Sequence, residues 1–246
     1  MRCCWLRDIE DDAQSVRRYG SHYVFKSVGY RIRPAHDHGK VDVNARAKIN
    51  PRSPPKQERA QATYDLLLDV AGELLGEVGI ERISTNMICA RAGLTPPALY
   101  RYFKDKYAVL EALGQRLMTK QNDVLEAWIA RHVDQGVDAL RDNIEELMRE
   151  TAAVTRPEPG AVWILRALHA TPQLAHIRLE SHRYVTDRLV EAYARNLPDA
   201  DRDALWQELR LTVELGFAAD EMLYEETRVS PDAIFRLTAR MLRGDQ

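Results

Sequence analysis

A chain of 246 residues, 45% apolar and 29% charged with a formal charge of −2, has an ordinary globular balance and enough length to bury one or two cores. No run approaches the ~18 apolar residues of a membrane-spanning helix, and charges from Arg2 to Asp12 interrupt any apolar signal core, so a cytoplasmic protein that stays out of the membrane is expected. Three cysteines, with Cys3 and Cys4 adjacent and Cys89 alone, provide neither a disulfide framework nor a zinc spacing.

The charge is unevenly spread. Residues 1–55 carry eleven Lys and Arg against six Asp and Glu, residues 56–110 carry seven of each, and residues 111–246 carry seventeen against twenty-four. A polyanion would be drawn to the N-terminal end and repelled by the remainder, a weak pointer to nucleic acid that ordinary charge scatter would also produce.

Residues 1–55 show neither helical nor strand periodicity and end in the breakers Pro51, Pro54 and Pro55, which predicts a flexible basic extension. From Arg17 to Lys56 it holds ten Lys or Arg against Asp37 and Asp42, with Tyr19, Tyr23, Phe25 and Tyr30 interleaved. A disordered arm along the minor groove or phosphates, a solvated tail and a misassigned translation start all fit this composition.

From Lys56 onward the pattern becomes long helical stripes separated by short Gly or Pro signals, which predicts an all-α fold of about nine helices. The first spans about Gln57 to Val78, with Leu67, Val70, Ala71, Leu74, Leu75 and Val78 on one face and Gly79 at its end. A helix of barely two turns follows, capped by Ser84 or Thr85 and ending near Ala92. Gly93 then turns the chain, Leu94 plugs the core, and Thr95 caps a third helix to Phe103 whose first turn tolerates Pro96 and Pro97. Two short helices joined by a glycine turn read as a helix-turn-helix, whose second helix enters the major groove by its N-terminal end. Residues 82–106 hold five basic residues, Arg82, Arg91, Arg101, Lys104 and Lys106, against Asp105, so phosphate neutralisation is concentrated there. Leu99 and Phe103 at helical spacing read as core.

The run from Ile83 to Lys106, with Ala-Gly-Leu-Thr at 92–95 and Leu-Tyr-Arg-Tyr-Phe at 99–103, resembles the N-terminal domain of the TetR regulator family over roughly residues 57–110. It departs at Cys89, where the family usually has Ala. The resemblance implies a three-helix DNA-binding domain at residues 56–106 and a larger helical ligand-binding and dimerisation domain at 107–246. It further implies that Thr85, Thr95, Pro96 and Pro97 contact backbone or bases, that Tyr100 meets a phosphate with Arg101 and Tyr102 beside it, and that Lys106 grips a phosphate. Without donors, Pro96 and Pro97 can offer only apolar contact, for example to a thymine methyl.

The same resemblance implies a repressor that leaves a palindromic double-stranded operator when a small-molecule effector binds, acting as a homodimer without a cofactor. Beyond a long fourth helix to about Val133, helices are predicted near 137–155, 160–170, 173–196, 201–227 and 231–243. Leu205, Leu209, Val213 and Phe217, with Ile234, Leu237 and Leu242, are candidates for a four-helix dimer seam or for core. Trp128, Trp163, His169, Tyr184, Tyr193 and Phe217 are candidates for a pocket taking a hydrophobic or aromatic effector, or again for core. His169, His176 and His182 are spaced so that no metal site is expected. No nucleophile elbow, phosphate loop or paired catalytic carboxylate motif is found, leaving an enzyme as the remotest reading and a ligand-binding helical dimer without DNA binding as the alternative.

Overall fold

The computed structural model describes residues 58–243, so the flexible basic extension expected over residues 1–55 lies outside the described residues. Ten α-helices and one 3-10 turn account for the described chain, with no strand among them. They are α1 (Glu58–Arg82), α2 (Thr85–Ala92), α3 (Pro96–Tyr100), α4 (Lys106–His132), α5 (Val137–Asp142), α6 (Ile144–Thr155), α7 (Ala161–Ala170), α8 (Ala175–Asn196), α9 (Arg202–Glu225) and α10 (Pro231–Arg243). Gly79, at φ 74° and ψ 170°, interrupts α1 where the sequence ends it. The expected helix over 137–155 is two helices. At Asn143 the side chain donates to the Ala139 carbonyl at 2.8 Å, and the Asn143 carbonyl takes the Trp128 indole N–H at 3.0 Å, so a tertiary contact holds the break open.

Helix α4 is the spine. Its 27 residues span about 40 Å, and it enters two cores in succession. Its first half places Val109, Leu113 and Leu117 with Leu67, Leu74 and Leu75 of α1, Ile88 of α2, Leu99 of α3 and Leu168 of α7. Its second half places Leu125, Trp128 and Ile129 with Leu140, Leu189, Val190, Leu209 and Val213. A third, smaller cluster joins Met148 and Ala152 of α6 to Ala219 of α9 and to Ile234 and Phe235 of α10. The N-terminal helices thus share one apolar core with α7, and displacement of α4 or α7 moves the packing beneath α1–α3.

The loop between α6 and α7 docks on α1 at backbone distance. A Cβ at Gly72 would lie 2.2 Å from the Pro159 carbonyl oxygen, and one at Gly160 would lie 2.1 Å from the Gly72 carbonyl oxygen, so only glycine fits at either position. Around this contact Arg116 reaches Asp69 at 2.8 Å and the buried Glu158 at 3.4 Å, and Glu158 also pairs with Lys120.

Candidate functional site

The α2–α3 unit is built from its turn chemistry. Ser84 caps α2, its Oγ accepting from the Met87 N–H at 3.3 Å. Gly93 sits at φ 66° and ψ 28°, a left-handed position that suits glycine, and lets the Leu94 N–H return to the Cys89 carbonyl at 2.9 Å. Thr95 is extended, as a residue before proline must be, and opens α3. Its expected side-chain cap does not form. Pro97 has no N–H to offer, and the Ala98 N–H bonds the Thr95 carbonyl at 2.9 Å, which leaves the hydroxyl out of the helix start. Helix α3 is also shorter than predicted, ending at Tyr100. Beyond it the Tyr102 and Phe103 N–H groups both converge on the Leu99 carbonyl, at 2.9 and 3.0 Å.

Leu99 and Phe103 are buried, which fixes the face that α3 turns outward. Thr95, Pro96, Pro97, Tyr100 and Arg101 are exposed together on it, while Thr85, Tyr102 and Lys106 are half-buried. The Thr85 and Tyr100 hydroxyls lie 3.2 Å apart, so the starts of α2 and the end of α3 are linked. Tyr102 packs edge-on to Tyr64 at 6.1 Å between ring centres, which leaves it half-buried. Lys106 donates to the Ile80 and Glu81 carbonyls at 3.0 and 3.4 Å; two of its three N–H groups therefore tie α4 to the end of α1. Arg91 does not add to the basic face. It forks onto Glu77 at 2.9 and 2.8 Å, with Glu73 at 3.9 Å, and its hydrogen bonds hold the Glu77 carboxyl below its ordinary range. Cys89 is buried, and desolvation pushes its thiol up, away from reactivity.

A cavity of about 660 Å³, its open mouth included, lies between α4, α6, α8, α9 and α10. Of the candidate pocket residues only Phe217 lines it, stacked at 3.9 Å on His182. Burial drops His182 to about 4, so the ring under Phe217 is uncharged at neutral pH. The others lie elsewhere. Trp128 is a fully buried core residue bonded to Asn143, and Tyr193 belongs to that same core. Trp163 is exposed, with Arg166 over its ring. Tyr184 is exposed and donates to Glu126 at 2.6 Å, and His169 is exposed and meets Glu221 at 2.9 Å. Aromatic content alone did not separate a wall from a core. Sequence reasoning missed Asp220, Gln121 and the aliphatic lining of α6; Asp220 was findable, because it stands three residues after Phe217 on the apolar stripe of α9. His176 and His182 face Glu111 and Glu214, so the three histidines named earlier meet three separate carboxylates.

The predicted seam is corrected by one helical face. Leu209 and Val213 are buried in their own chain, Leu205 and Phe217 pack against the same core, Ile234 is buried and Leu242 lines the cavity. The apolar row turned outward on α9 is Leu211, Leu215, Ala218 and Met222, at spacings of four, three and four, with Leu237 and Met241 outward on α10. Leu211 is 62% exposed and Met241 75%.

The glycine turn, the outward face of a proline-opened α3 and the long helical body behind them define an all-helical protein carrying a helix-turn-helix at one end. Residues 67–113 match the model of the bacterial regulatory proteins of the tetR family. The chain is 26% identical over 172 residues to the tetracycline repressor protein class D of Escherichia coli, covering 70% of this chain and 63% of that protein. To the class C tetracycline repressor of the same organism it is 40% identical over 55 residues, 22% of this chain and 25% of that one. The chain thus spans less than two thirds of the length of either relative. A TetR-family regulator structure from Mesorhizobium loti superposes with a TM-score of 0.59 at 15% identity, over 76% of this chain and 96% of that one, which concerns the fold alone. Over residues 67–113 the chain is thus similar to the bacterial regulatory proteins of the tetR family.

Proposed function

We propose that the protein is a homodimeric transcriptional repressor of the cytoplasm that leaves a palindromic operator when a small molecule occupies the cavity beside α9. Residues 56–106 are its DNA-binding domain and residues 107–246 its effector-binding and dimerisation domain. The observation that carries the reading is the outward face of α3, where Thr95, Pro96, Pro97, Tyr100 and Arg101 are exposed over a buried base of Leu99 and Phe103. An α-helix fits the major groove by width, and its N-terminal end meets the bases. The prolines contribute shape and methyl contact, the Thr95 hydroxyl a hydrogen bond, and Arg101 phosphate neutralisation. Thr85 and Tyr100, already within reach of each other, take one phosphate between them, and Lys106 offers its third N–H to the backbone.

Two copies joined along Leu211, Leu215 and Met222 with Leu237 and Met241 bury these rows and set two α3 helices in twofold relation, which demands a palindromic site. An effector shifts such a dimer only through different affinity for its DNA-bound and free states. Selection of bound fragments from the source genome tests the reading, with Tyr100→Phe and Arg101→Ala as controls; Lys106→Ala is less informative because it also unties α1 from α4. The expected result is a palindrome bound by the wild-type protein and weakened in both variants, with a steep salt dependence. Recovery of nothing above background at low salt would replace the reading with a ligand-binding dimer that does not bind DNA.

A further inference from the structure

The buried side-chain polar atoms that line the cavity without a hydrogen-bond partner among the described residues are all acceptors. Asp220 is only 7% exposed, and neither of its carboxylate oxygens is hydrogen-bonded among the described residues. Gln121 is 3% exposed, and its Oε1 is likewise without a partner. The neighbours fix the orientation of that amide. Thr155 gives its single hydroxyl proton to the Thr151 carbonyl at 2.8 Å, so it can only accept from Gln121 Nε2, also at 2.8 Å. The amide oxygen is left facing away from Thr155. Thr212 has given its proton to the Glu208 carbonyl at 3.0 Å. The rest of the lining is apolar or threonine, with no lysine, arginine or histidine.

Burial, aided by the neighbouring Glu221, pushes the Asp220 carboxyl up to about 6. Tyr224, one turn along α9, is half-buried, and its buried hydroxyl gives Asp220 no hydrogen bond. At neutral pH the cavity therefore holds a carboxylate that no cation among the described residues balances. Such a group is destabilising unless something pairs with it, and a ligand that supplies the missing charge and donors gains the difference.

We propose that the cavity binds a protonated amine with an apolar body, its N–H groups donating to the Asp220 carboxylate and the Gln121 amide oxygen while the body lies against Leu125, Leu147, Leu189 and Phe217. This rests on reading the cavity as the effector site and narrows the expected hydrophobic or aromatic effector to a cationic one. A carboxylate of similar shape meets like charge, and a neutral alcohol gains only burial.

Calorimetric titration of the full-length protein at pH 7.5 with decylamine, decyltrimethylammonium, decanol and decanoate tests the proposal, repeated on Asp220→Asn, which keeps the residue's shape, and on Gln121→Leu. Unchanged far-UV dichroism verifies the fold of each variant. The expected result is that decylamine binds most tightly and loses about tenfold or more in Asp220→Asn, while decanol is indifferent to that change. Decanol or decanoate matching decylamine, or decylamine binding Asp220→Asn unchanged, would overturn the proposal while leaving an apolar effector site in place. Equal affinity for decyltrimethylammonium, which has no N–H, would overturn the donor geometry. Failure of all four to bind would remove both the amine and the reading of this cavity as an effector site.

Discussion

The outward face of α3 and the cavity beside α9 use polar groups in opposite ways. On α3 the anchoring side chains, Leu99 and Phe103, are buried and purely apolar, and the polar groups stand in solvent. In the cavity the acceptors of Asp220 and Gln121 are themselves buried and unmatched. The first arrangement is stable alone and presents a fixed surface; the second is stable only in part until a partner arrives. Stability and responsiveness are thus carried by different helices of one chain, joined through α4.

The contrast can be broken most severely at its rigid end. Leu99→Ala removes a fully buried side chain beneath α3 and is expected to lower stability by about 3 kcal/mol, read as a shift in the urea midpoint, and to abolish operator binding.

At the responsive end the effect has the opposite sign. The folded Asp220 carboxyl titrates near 6, above its ordinary 3.8, so the folded state disfavours its ionised form. The stability linked to its proton is complete below about pH 4 and is lost as pH rises through about 6. Asp220→Asn cannot ionise, so it is expected to be more stable than the wild-type protein by about 2 kcal/mol at pH 8 and no more stable near pH 4. Thermal melts across that range check the slope. A variant that weakens effector binding while stabilising the unliganded chain would separate the two uses of polar groups directly.

The smallest effect on the fold is expected at the seam. Leu211→Glu with Met241→Glu alters side chains already in solvent, so the melting temperature of each chain measured at high dilution should change little, while sedimentation should report monomers. Dimers persisting in the double variant would move the interface to another surface.

How far the sequence could be read follows the same division. Ser84, Gly93 and the Thr95-Pro96-Pro97 run specify α2 and α3 through local backbone chemistry, and the turn forms where they place it. Even there, two details depended on hydrogen bonds that spacing does not reveal: the unused Thr95 hydroxyl and the return of Arg91 to Glu77. On α9, apolar residues occupy both faces, with Leu209, Val213 and Phe217 on one and Leu211, Leu215 and Met222 on the other. Periodicity finds each stripe and cannot say which turns inward, so of the predicted seam only Leu237 stands outward and the rest falls on the core or the cavity wall. Trp128 illustrates the same limit, since the Asn143 carbonyl that makes it a core residue lies fifteen residues away and on a different element.

The meeting of Gly72 with the Pro159–Gly160 backbone acquires a different meaning in this light. The ion pairs around it, from Arg116 and Lys120 to Asp69 and Glu158, weaken with salt and with acid. Contact between two main chains does neither. The register between the loop after α6, a helix that walls the cavity, and the helix that leads into the helix-turn-helix therefore has a component set by shape, the same in dilute buffer as in a cell whose ionic strength fluctuates.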